Sequence, residues 1–397
     1  MTDSTPVAVT GMAVITPLGD TVASLMEGLG AGRSSVATLV SPAQVAGSSL
    51  HDFEATRYAN VRGMRIYNRA TRLGICATRL ALQDAGLENA GFPGERLGVV
   101  MAGTFAHLDT LIEYDRSLVT QGPSRTNPAL MPLAIPSAPG AIIALSFGAK
   151  ACSITLAEGG AGGLDTIGLA ARLVRSGRVG ACVVVSALAF FDELILSSAR
   201  AGWLARVEDF CVFDRRSRGA AFGEAGAALI VESLASAEAR GRTPKGLLLA
   251  QASTFSTDAS ASALAKASTK ALAASKTEVG SIRLCSSGAN GLPNVDHAEA
   301  GALLKVLDDS AARTPVIAIK ASLGDSLDAA GLLQTIVAIA ALSGSPAPGV
   351  AGLREPAVPG LAYLTAPKEI AAGRALVTAT SQTGACSALV VSRDSES

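Results

Sequence analysis

Residues 157–168 read AEGGAGGLDTIG, a glycine-rich turn that leads into a predicted helix. A turn of this kind usually holds a nucleophile at a helix N-terminus, where free N–H groups and the helix dipole favour a thiolate. The residue at the apex is Gly160, which has no side chain to attack a substrate. The sequence therefore predicts the support for a nucleophile without the nucleophile itself.

The unit around this turn occurs twice in the chain. In the first half, a strand is followed by a turn of small residues and a strongly apolar helix, which together cover residues 159–175. In the second half, a strand is followed by a similar turn and helix at residues 324–342. The second helix is apolar on nearly every face, which places it at the centre of the molecule. We expect a duplicated α/β unit whose halves, residues 1–242 and 243–397, pack back to back and join near residues 241–245.

Apolar, strand-like runs alternate with segments of helical period along the whole chain, which indicates a layered α/β architecture. The predicted strands cover residues 7–15, 97–102, 181–186, 227–232, 246–252, 282–285, 315–321, 375–380 and 388–392. The predicted helices cover residues 69–84, 164–175, 299–309 and 329–342.

The bulk composition argues against several classes of function. The formal net charge is zero, so there is no electrostatic basis for binding nucleic acid or an anionic membrane. The most apolar run, residues 179–191, is shorter than the roughly 20 residues that a membrane span needs. The amino terminus lacks a basic-then-apolar signal pattern, and we expect a cytoplasmic protein. The six cysteines lack CxxC spacing and no two of the three histidines stand at ligand spacing, so neither a metal nor a cofactor is expected.

Several blocks along the chain resemble one family. They are VTGMAVITPLG at residues 9–19, NRATRL at 68–73, the stretch 127–136, and FDRRSRG with FGEAG over 213–226. In this order they are similar to the β-ketoacyl synthases of the thiolase superfamily. The resemblance implies a thiolase-like α/β fold, with two similar halves packed as a five-layer αβαβα sandwich. It also implies that residues 1–242 are the N-terminal and 243–397 the C-terminal half of that fold.

Active members of this family use a Cys-His-His set. The cysteine forms the acyl thioester, and the two histidines assist malonyl decarboxylation and stabilise the enolate. Carried over motif by motif, the cysteine position falls on Gly160 and the two histidine positions on Gly288 and Asp325. The family's lysine is retained as Lys320. We therefore assign no catalytic residue, and condensation by this chain alone is not expected.

A chain that keeps the fold but lacks the nucleophile resembles the chain length factors, or ketosynthase β subunits, of type II polyketide synthases. These subunits pair with a catalytic ketosynthase α subunit, so the resemblance implies a heterodimer that elongates a chain held on an acyl carrier protein. Many of them carry glutamine at the cysteine position, commonly preceded by glutamate. Here Glu158 lies two residues before Gly160, and the glycine departs from that pattern.

In such a heterodimer each subunit closes the acyl tunnel of the other. By resemblance, the segment of residues 104–114 forms the helix that lines the chain-length cavity at the interface. Its apolar, medium-sized leucines suit a reduced or polyene chain at least as well as a poly-β-ketone. The residues assigned to the tunnel are Leu108, Leu111, Tyr114, Leu130, Met131 and Phe190.

Other interpretations remain open at the level of sequence. Leu108 and Leu111 are equally compatible with an ordinary core. Asp325 is explained by capping the apolar helix that follows it, since aspartate accepts from free N–H groups at a helix start. Glu158 is either an exposed loop carboxylate or an ion-pair partner for another subunit. The alternative function is an acyl-carrier-dependent enzyme, such as a malonyl-carrier decarboxylase, that works through Glu158 or Asp325; a third is a scaffold that binds acyl groups without a ketosynthase.

Overall fold

The structure, a computed structural model, describes residues 7–88, 92–257 and 260–393. Its strands are β1 (Val7–Ile15), β2 (Ala37–Thr38), β3 (Ala46–Ser48), β4 (Leu97–Ala102), β5 (Cys152–Leu156), β6 (Ala181–Leu188), β7 (Phe222–Gly223), β8 (Ala225–Ser233), β9 (Gly246–Phe255), β10 (Ile282–Ser286), β11 (Pro315–Ile317), β12 (Ala362–Tyr363), β13 (Arg374–Thr380) and β14 (Ala385–Ser392). Its α-helices are α1 (Val22–Gly30), α2 (Arg69–Asp84), α3 (Leu108–Gln121), α4 (Ala138–Ser146), α5 (Gly162–Arg175), α6 (Asp192–Arg200), α7 (Leu234–Ala239), α8 (Ala261–Ala274), α9 (Pro293–Leu307), α10 (Lys320–Leu323) and α11 (Ala330–Leu342). Each of these helices is too short or too polar to cross a lipid bilayer.

The two halves of the chain build their sheets in the same order. The first half runs β1-β8-β6-β4-β5 and the second β9-β14-β13-β10-β11, with β12 added at the outer edge. In the first half, β8 pairs antiparallel with β1 and β6, and the pairs β6–β4 and β4–β5 are parallel. In the second half, β14 likewise pairs antiparallel with β9 and β13, and the pairs β13–β10 and β10–β11 are parallel. The duplicated unit is therefore visible in the topology.

Two helices lie between the sheets. Helix α5 contacts β4, β6 and β8 of the first half and β9 and β14 of the second, while α11 contacts β10, β13, β14 and β8. Every residue of α11 is buried, as its sequence, apolar on nearly every face, predicted. Helices α2 and α4 cover the outer face of the first sheet, and α8 and α9 cover that of the second. The layers run helix, sheet, helix, sheet, helix, which confirms the predicted thiolase-like sandwich.

The sheets also join directly. β1 and β9 pair over three residues, from Val7 opposite Leu248 to Val9 opposite Gly246. Beyond this short ladder the strands separate, and α5 packs in the space between them.

Most predicted elements differ from the structure by one to three residues at an end, and two differ by more. The strand predicted over 315–321 ends at Ile317, because its neighbour β10 ends opposite that residue, and the chain then turns into α10. The helix predicted over 299–309 starts earlier, at Pro293, and ends at Leu307. Proline suits a first helical position, where its missing N–H is not needed.

Candidate functional site

The glycine turn lies where β5 ends and α5 begins. Gly159 has a φ of +63°, in the left-handed region that glycine adopts at little cost. Its N–H donates to the Thr104 hydroxyl over 2.9 Å, and this hydroxyl donates to the Asp328 carboxylate, also over 2.9 Å. The N–H of Thr104 donates to the second oxygen of the same carboxylate over 2.9 Å. A threonine and a buried aspartate from two distant segments therefore hold the turn in place.

Three carboxyl groups surround the first turn of α5. A hydrogen bond with Asp165, partial burial and the charges of Asp165 and Asp328 raise the pKa of Glu158 to about 7. Burial raises the pKa of Asp328 to about 7 as well, against the effect of the Thr104 hydrogen bonds. Asp165 is buried and accepts from the Gln251 side chain over 2.6 Å. Glu158 and Asp328 therefore keep protons at a pH at which ordinary carboxyl groups have lost theirs.

The first of the two histidine positions, Gly288, follows β10 and lies against a buried glutamate. Glu299 is fully buried and its carboxylate accepts four hydrogen bonds. The donors are the Ser287 hydroxyl at 2.8 Å, the Gly288 N–H at 3.2 Å, the Thr378 hydroxyl at 2.6 Å and the Thr380 hydroxyl at 2.8 Å. This one carboxylate ties the loop after β10 to the end of β13.

The second histidine position, Asp325, forms a buried ion pair with Lys320. The Lys320 Nζ lies 3.1 Å from Asp325 Oδ1, and the two side chains are 2% and 3% exposed. The same ammonium donates to the Gly288 carbonyl oxygen over 2.9 Å. Asp325 also accepts from the Asn290 amide and from the Leu327 N–H, both over 2.9 Å. The lysine thus joins the two histidine positions to each other.

The structure corrects the interpretation of Asp325 as a cap for the buried helix. Asp325 accepts one N–H in the 3₁₀ turn Leu327–Ala329 that precedes α11, whereas α11 starts after Ala329 without a side-chain cap. The charge is tolerated because the carboxylate has an ammonium partner and two further donors, which is the condition for burying an ionised group.

All three positions converge near the C-terminal end of β13. A Cβ on Gly160 would lie 3.0 Å from the Thr380 carbonyl oxygen, and a Cβ on Gly288 would lie 2.8 Å from the Cα of Ala379. Asp325 is connected to this point through Lys320. The described groups that these contacts bring together are carboxylates, hydroxyls and one ammonium, with neither a thiol nor an imidazole among them.

The residues assigned to the tunnel on α3 do not share one environment. Leu111 is 37% exposed and lines a groove of about 560 Å³ together with Asp115 and Val119. Leu108 and Tyr114 are half-buried and do not line this groove. The helix also continues past the predicted segment, to Gln121, and so offers a longer apolar edge than the sequence indicated.

The remaining tunnel residues lie in two other places. Leu130 and Met131 are on the 3₁₀ segment Pro128–Leu133, which contacts α3, and Met131 is 47% exposed. Phe190 is partly buried and packs, with Phe105 and Phe191, against a separate apolar cluster. The structure therefore places Leu130 and Met131 on a segment that contacts α3 but outside the lining of its groove, and leaves Phe190 at a separate cluster.

The sequence blocks at residues 213–226 fix the loops beside these positions. Phe213 has a φ of +62°, and its N–H donates to the Asp296 carboxylate over 2.6 Å. Glu224 forms an ion pair with Arg69 at 2.9 Å and accepts from the N–H of Phe190 at 3.0 Å. These charged residues are thus structural, since their partners are other parts of the same chain.

Two family models match the chain. The β-ketoacyl synthase N-terminal domain matches residues 4–237, and the β-ketoacyl synthase C-terminal domain matches residues 246–354. The chain belongs to the β-ketoacyl synthase family. The resemblance inferred from the sequence blocks is thereby confirmed.

Similar proteins include one named as a synthase and one named as a beta subunit. The tetracenomycin polyketide synthase ketoacyl synthase beta subunit of Streptomyces glaucescens is 28% identical, over 99% of this chain and 100% of that protein. The 3-oxoacyl-[acyl-carrier-protein] synthase 2 of a Synechocystis strain is 26% identical, over 88% of each chain. Among solved structures, the ishigamide ketosynthase/chain length factor has a TM-score of 0.88 at 25% identity, over 98% of this chain and 99% of that one.

Three residues that organise this β-ketoacyl synthase site were not identified from the sequence. Thr104 and Asp328 hold the glycine turn, and Glu299 holds the loop at Gly288. The available signal was an acidic residue directly before a run of small and apolar residues, as in Glu299 before AGALL and Asp328 before AAGLL, since a buried carboxylate is stable only with partners. The partners of Asp328 and Glu299 were not predicted because most of them lie far away in the sequence.

The stability of this chain is expected to fall as the pH rises, because folding favours the protonated form of Asp328. Its pKa is about 7 in the folded chain, against an ordinary value of 3.8, so the stabilisation is complete below the ordinary value and is lost as the pH approaches 7. Asp328→Asn removes this titration. As the pH rises from about 4 to about 8, we expect the free energy of unfolding of the variant to fall by about 2–4 kcal/mol less than that of the wild type. Urea denaturation at several pH values measures the difference. If the unfolding free energy of the variant depends on pH as steeply as that of the wild type, Asp328 is not the group responsible.

Proposed function

We propose that this chain is the chain length factor, or ketosynthase β subunit, of a type II polyketide synthase. In this role it pairs in the cytoplasm with a catalytic ketosynthase α subunit, shapes the acyl tunnel and sets the length of the chain carried by an acyl carrier protein. The observation that carries the proposal is the loss of all three reacting groups, at Gly160, Gly288 and Asp325, from an otherwise complete family fold.

The names of two similar proteins support this assignment. One is called a ketoacyl synthase beta subunit and the other a ketosynthase/chain length factor, and both align over nearly the whole chain. Glycine cannot be acylated, and an aspartate paired with Lys320 offers no imidazole to stabilise an enolate. A role in shape and partnership fits these residues better than a role in bond formation.

One edge of the molecule has the features of a partner surface. β5 ends the first sheet, so among the described residues no strand pairs with its outer side. Helix α4 packs on β5 and contacts the segment Pro128–Leu133, which in turn contacts α3. On α3, Val119 is 76% exposed and Leu118 is 36% exposed. Together with the α3 groove, these features form a surface that fits a second ketosynthase-type subunit.

Co-expression with a candidate ketosynthase α subunit tests the proposal. We expect a stable 1:1 complex by size-exclusion chromatography, and polyketide formation only when both subunits are present. A chain that stays monomeric or homodimeric with every such partner, or that forms carbon–carbon bonds alone, would contradict the function.

Val119→Glu is expected to weaken this complex at least about 30-fold, because it places an unpaired carboxylate in an apolar interface. The free chain should keep its thermal midpoint, since Val119 is largely exposed before association. Val40→Glu is the matched control: Val40 is fully exposed at the turn after β2, and its substitution should leave the affinity unchanged. Isothermal titration with the partner measures both variants.

Leu111 is expected to influence product length, because it lines the α3 groove. Leu111→Trp reduces the space in the groove and should shift the main product to shorter chains, whereas Leu111→Ala should admit longer ones. Leu108→Ala, on the same helix but outside the groove lining, should have a smaller effect. Mass spectrometry of the released products measures their length. Identical product lengths from all three variants would show that Leu111 does not line the tunnel.

One observation favours a second function, decarboxylation of a malonyl group on the carrier. Glu158 is exposed beside the vacated turn and its pKa is about 7, which suits proton transfer at neutral pH. Asp325 fits this role less well, because its carboxylate is buried and bound to Lys320. Incubation of the isolated chain with malonyl carrier protein distinguishes the two functions: acetyl carrier protein that disappears with Glu158→Ala would establish the enzyme.

A further inference from the structure

Helix α3 has few contacts with the body of the protein beyond its first turn. Thr110 is the one residue of this helix that is buried, and α3 packs chiefly against the largely exposed segment Pro128–Leu133. The side chains of its ion pair between Arg116 and Glu193 are 63% and 41% exposed, and an exposed pair of this kind contributes little to stability. The position of α3 is therefore set mainly by the residues that precede it.

Two attachments lie in the loop between β4 and α3. Thr104 donates twice to Asp328, from its N–H and from its hydroxyl, each to a different carboxyl oxygen over 2.9 Å. The same hydroxyl accepts from the Gly159 N–H over 2.9 Å. Two residues further on, the Ala106 carbonyl oxygen accepts from the Asn68 amide over 2.8 Å. Because Asp328 is 4% exposed, its two hydrogen bonds to Thr104 are costly to break and fix the backbone there.

Asp328 is held in turn by the centre of the molecule. It lies in the 3₁₀ turn directly before α11, all of whose residues are buried. A Cβ on Gly162 would lie 2.8 Å from Asp328 Oδ1, and a Cβ on Gly163 would collide with the Asp328 carbonyl oxygen. The first two residues of α5 are therefore glycines where Asp328 needs the space. A residue of the second half thus reaches past the start of α5 to the loop that carries α3.

The α3 groove is a property of α3 alone. The residues that line it all belong to this helix: Leu111, Ile112, Asp115, Arg116, Val119 and Thr120. A shift of α3 therefore moves the whole lining at once, by an amount that depends on how its first turn is held. Misplacement by about 1 Å is enough to change the rate of a reaction about 100-fold where groups must be aligned.

We propose that Asp328 is a positioning residue for chain length: through Thr104 it fixes the start of α3, and with it the groove that limits the acyl chain. The inference rests on the proposed function, because it takes the α3 groove as part of the acyl tunnel. It also gives the vacated turn a structural task, since the Gly159 N–H completes the same contact.

The first test removes the Thr104 hydroxyl and follows α3 in the isolated full-length chain. Thr104→Val keeps the shape of the side chain, and Thr104→Ser keeps the hydroxyl. Thr10→Val is the matched control, because it also removes a hydroxyl that donates to a buried carboxylate, that of Glu232 at 2.8 Å, but on β1. In hydrogen exchange we expect the amides of α3 to exchange at least about tenfold faster in Thr104→Val, and at nearly the wild-type rate in the other two variants.

The second test measures product length with a ketosynthase α subunit and a malonyl-loaded carrier. We expect Thr104→Val to spread the products over several lengths and to lower the share of the main product at least about twofold, whereas Thr104→Ser restores the wild-type distribution. Thr10→Val should leave the distribution unchanged. Asp328→Asn, which replaces one acceptor oxygen with a donor, should act like Thr104→Val. The two substitutions together should add little, because they break one contact.

Unchanged exchange of α3 in Thr104→Val, or faster exchange with an unchanged product distribution, overturns the proposal. So does Thr104→Ser if it behaves like Thr104→Val, because the hydroxyl is then not the group that matters. If Thr104→Val does not fold, Asp328→Asn supplies both readings. If the wild-type chain forms no product with any partner, the proposed function fails and the role in chain length falls with it, while exchange in the isolated chain still decides whether Thr104 holds α3.

Discussion

Lys320→Met should destabilise the chain by about 3–5 kcal/mol, because it leaves the buried Asp325 carboxylate without its counter-charge. The substitution removes two contacts of the ammonium, to the Gly288 carbonyl at 2.9 Å and to Asp325 at 3.1 Å. Removal of one partner from a buried pair costs more than the pair contributes, since the remaining charge stays desolvated. Urea denaturation followed by circular dichroism measures the change.

A second substitution separates this cause from a simple packing defect. Lys320→Met/Asp325→Asn removes both charges while the side-chain oxygen at position 325 still accepts from Leu327. We expect the double variant to recover at least half of the loss. Lys150→Met is the surface control: the Lys150–Glu95 pair is 67% and 69% exposed, and its loss should not change the midpoint measurably. A double variant as unstable as Lys320→Met would show that the charge is not the cause.

Glu299→Ala should produce a loss of similar size, about 3–5 kcal/mol, for a different reason. It leaves four donors without an acceptor in a fully buried place, among them the Thr378 hydroxyl at 2.6 Å and the Gly288 N–H at 3.2 Å. The loop after β10 would lose its connection to β13. Denaturation in urea again measures the effect, and hydrogen exchange at Gly288 should rise with it.

Glu299→Gln distinguishes the hydrogen bonds from the volume of the side chain. Its amide retains one oxygen acceptor, and the neighbouring hydroxyls can reorient to accept from its NH₂ group. We expect it to lose less than half as much stability as Glu299→Ala. Equal losses in the two variants would mean that the negative charge itself, and not the acceptor geometry, is what the site requires.

Local patterns predicted much of this architecture. β1, β4 and α2 have the predicted bounds, because each is a continuous apolar or amphipathic run between clear breaks. The apolar helix at 329–342 was placed correctly at the centre for the same reason. The duplication of the α/β unit followed from the repeated strand, turn and helix, whereas the order of the strands within each sheet was not predicted.

The contacts that hold the site are not visible in local patterns. Thr104 and Asp328 are more than two hundred residues apart in sequence, yet they bond each other beside Gly159. The sequence placed Gly160, Gly288 and Asp325 by motif, but nothing local indicated that Lys320 bridges two of them. The full length of α3 was missed because apolar and polar side chains are both exposed along its second half, so that no buried stripe marks it.

The unpaired outer side of β5 and the bare leucine and valine side chains of α3 also bear on how this chain must be produced. An open sheet edge beside an uncovered apolar helix is a template for uncontrolled self-association. For the proposed β subunit, we therefore expect the chain expressed alone to self-associate more than the chain co-expressed with its ketosynthase partner.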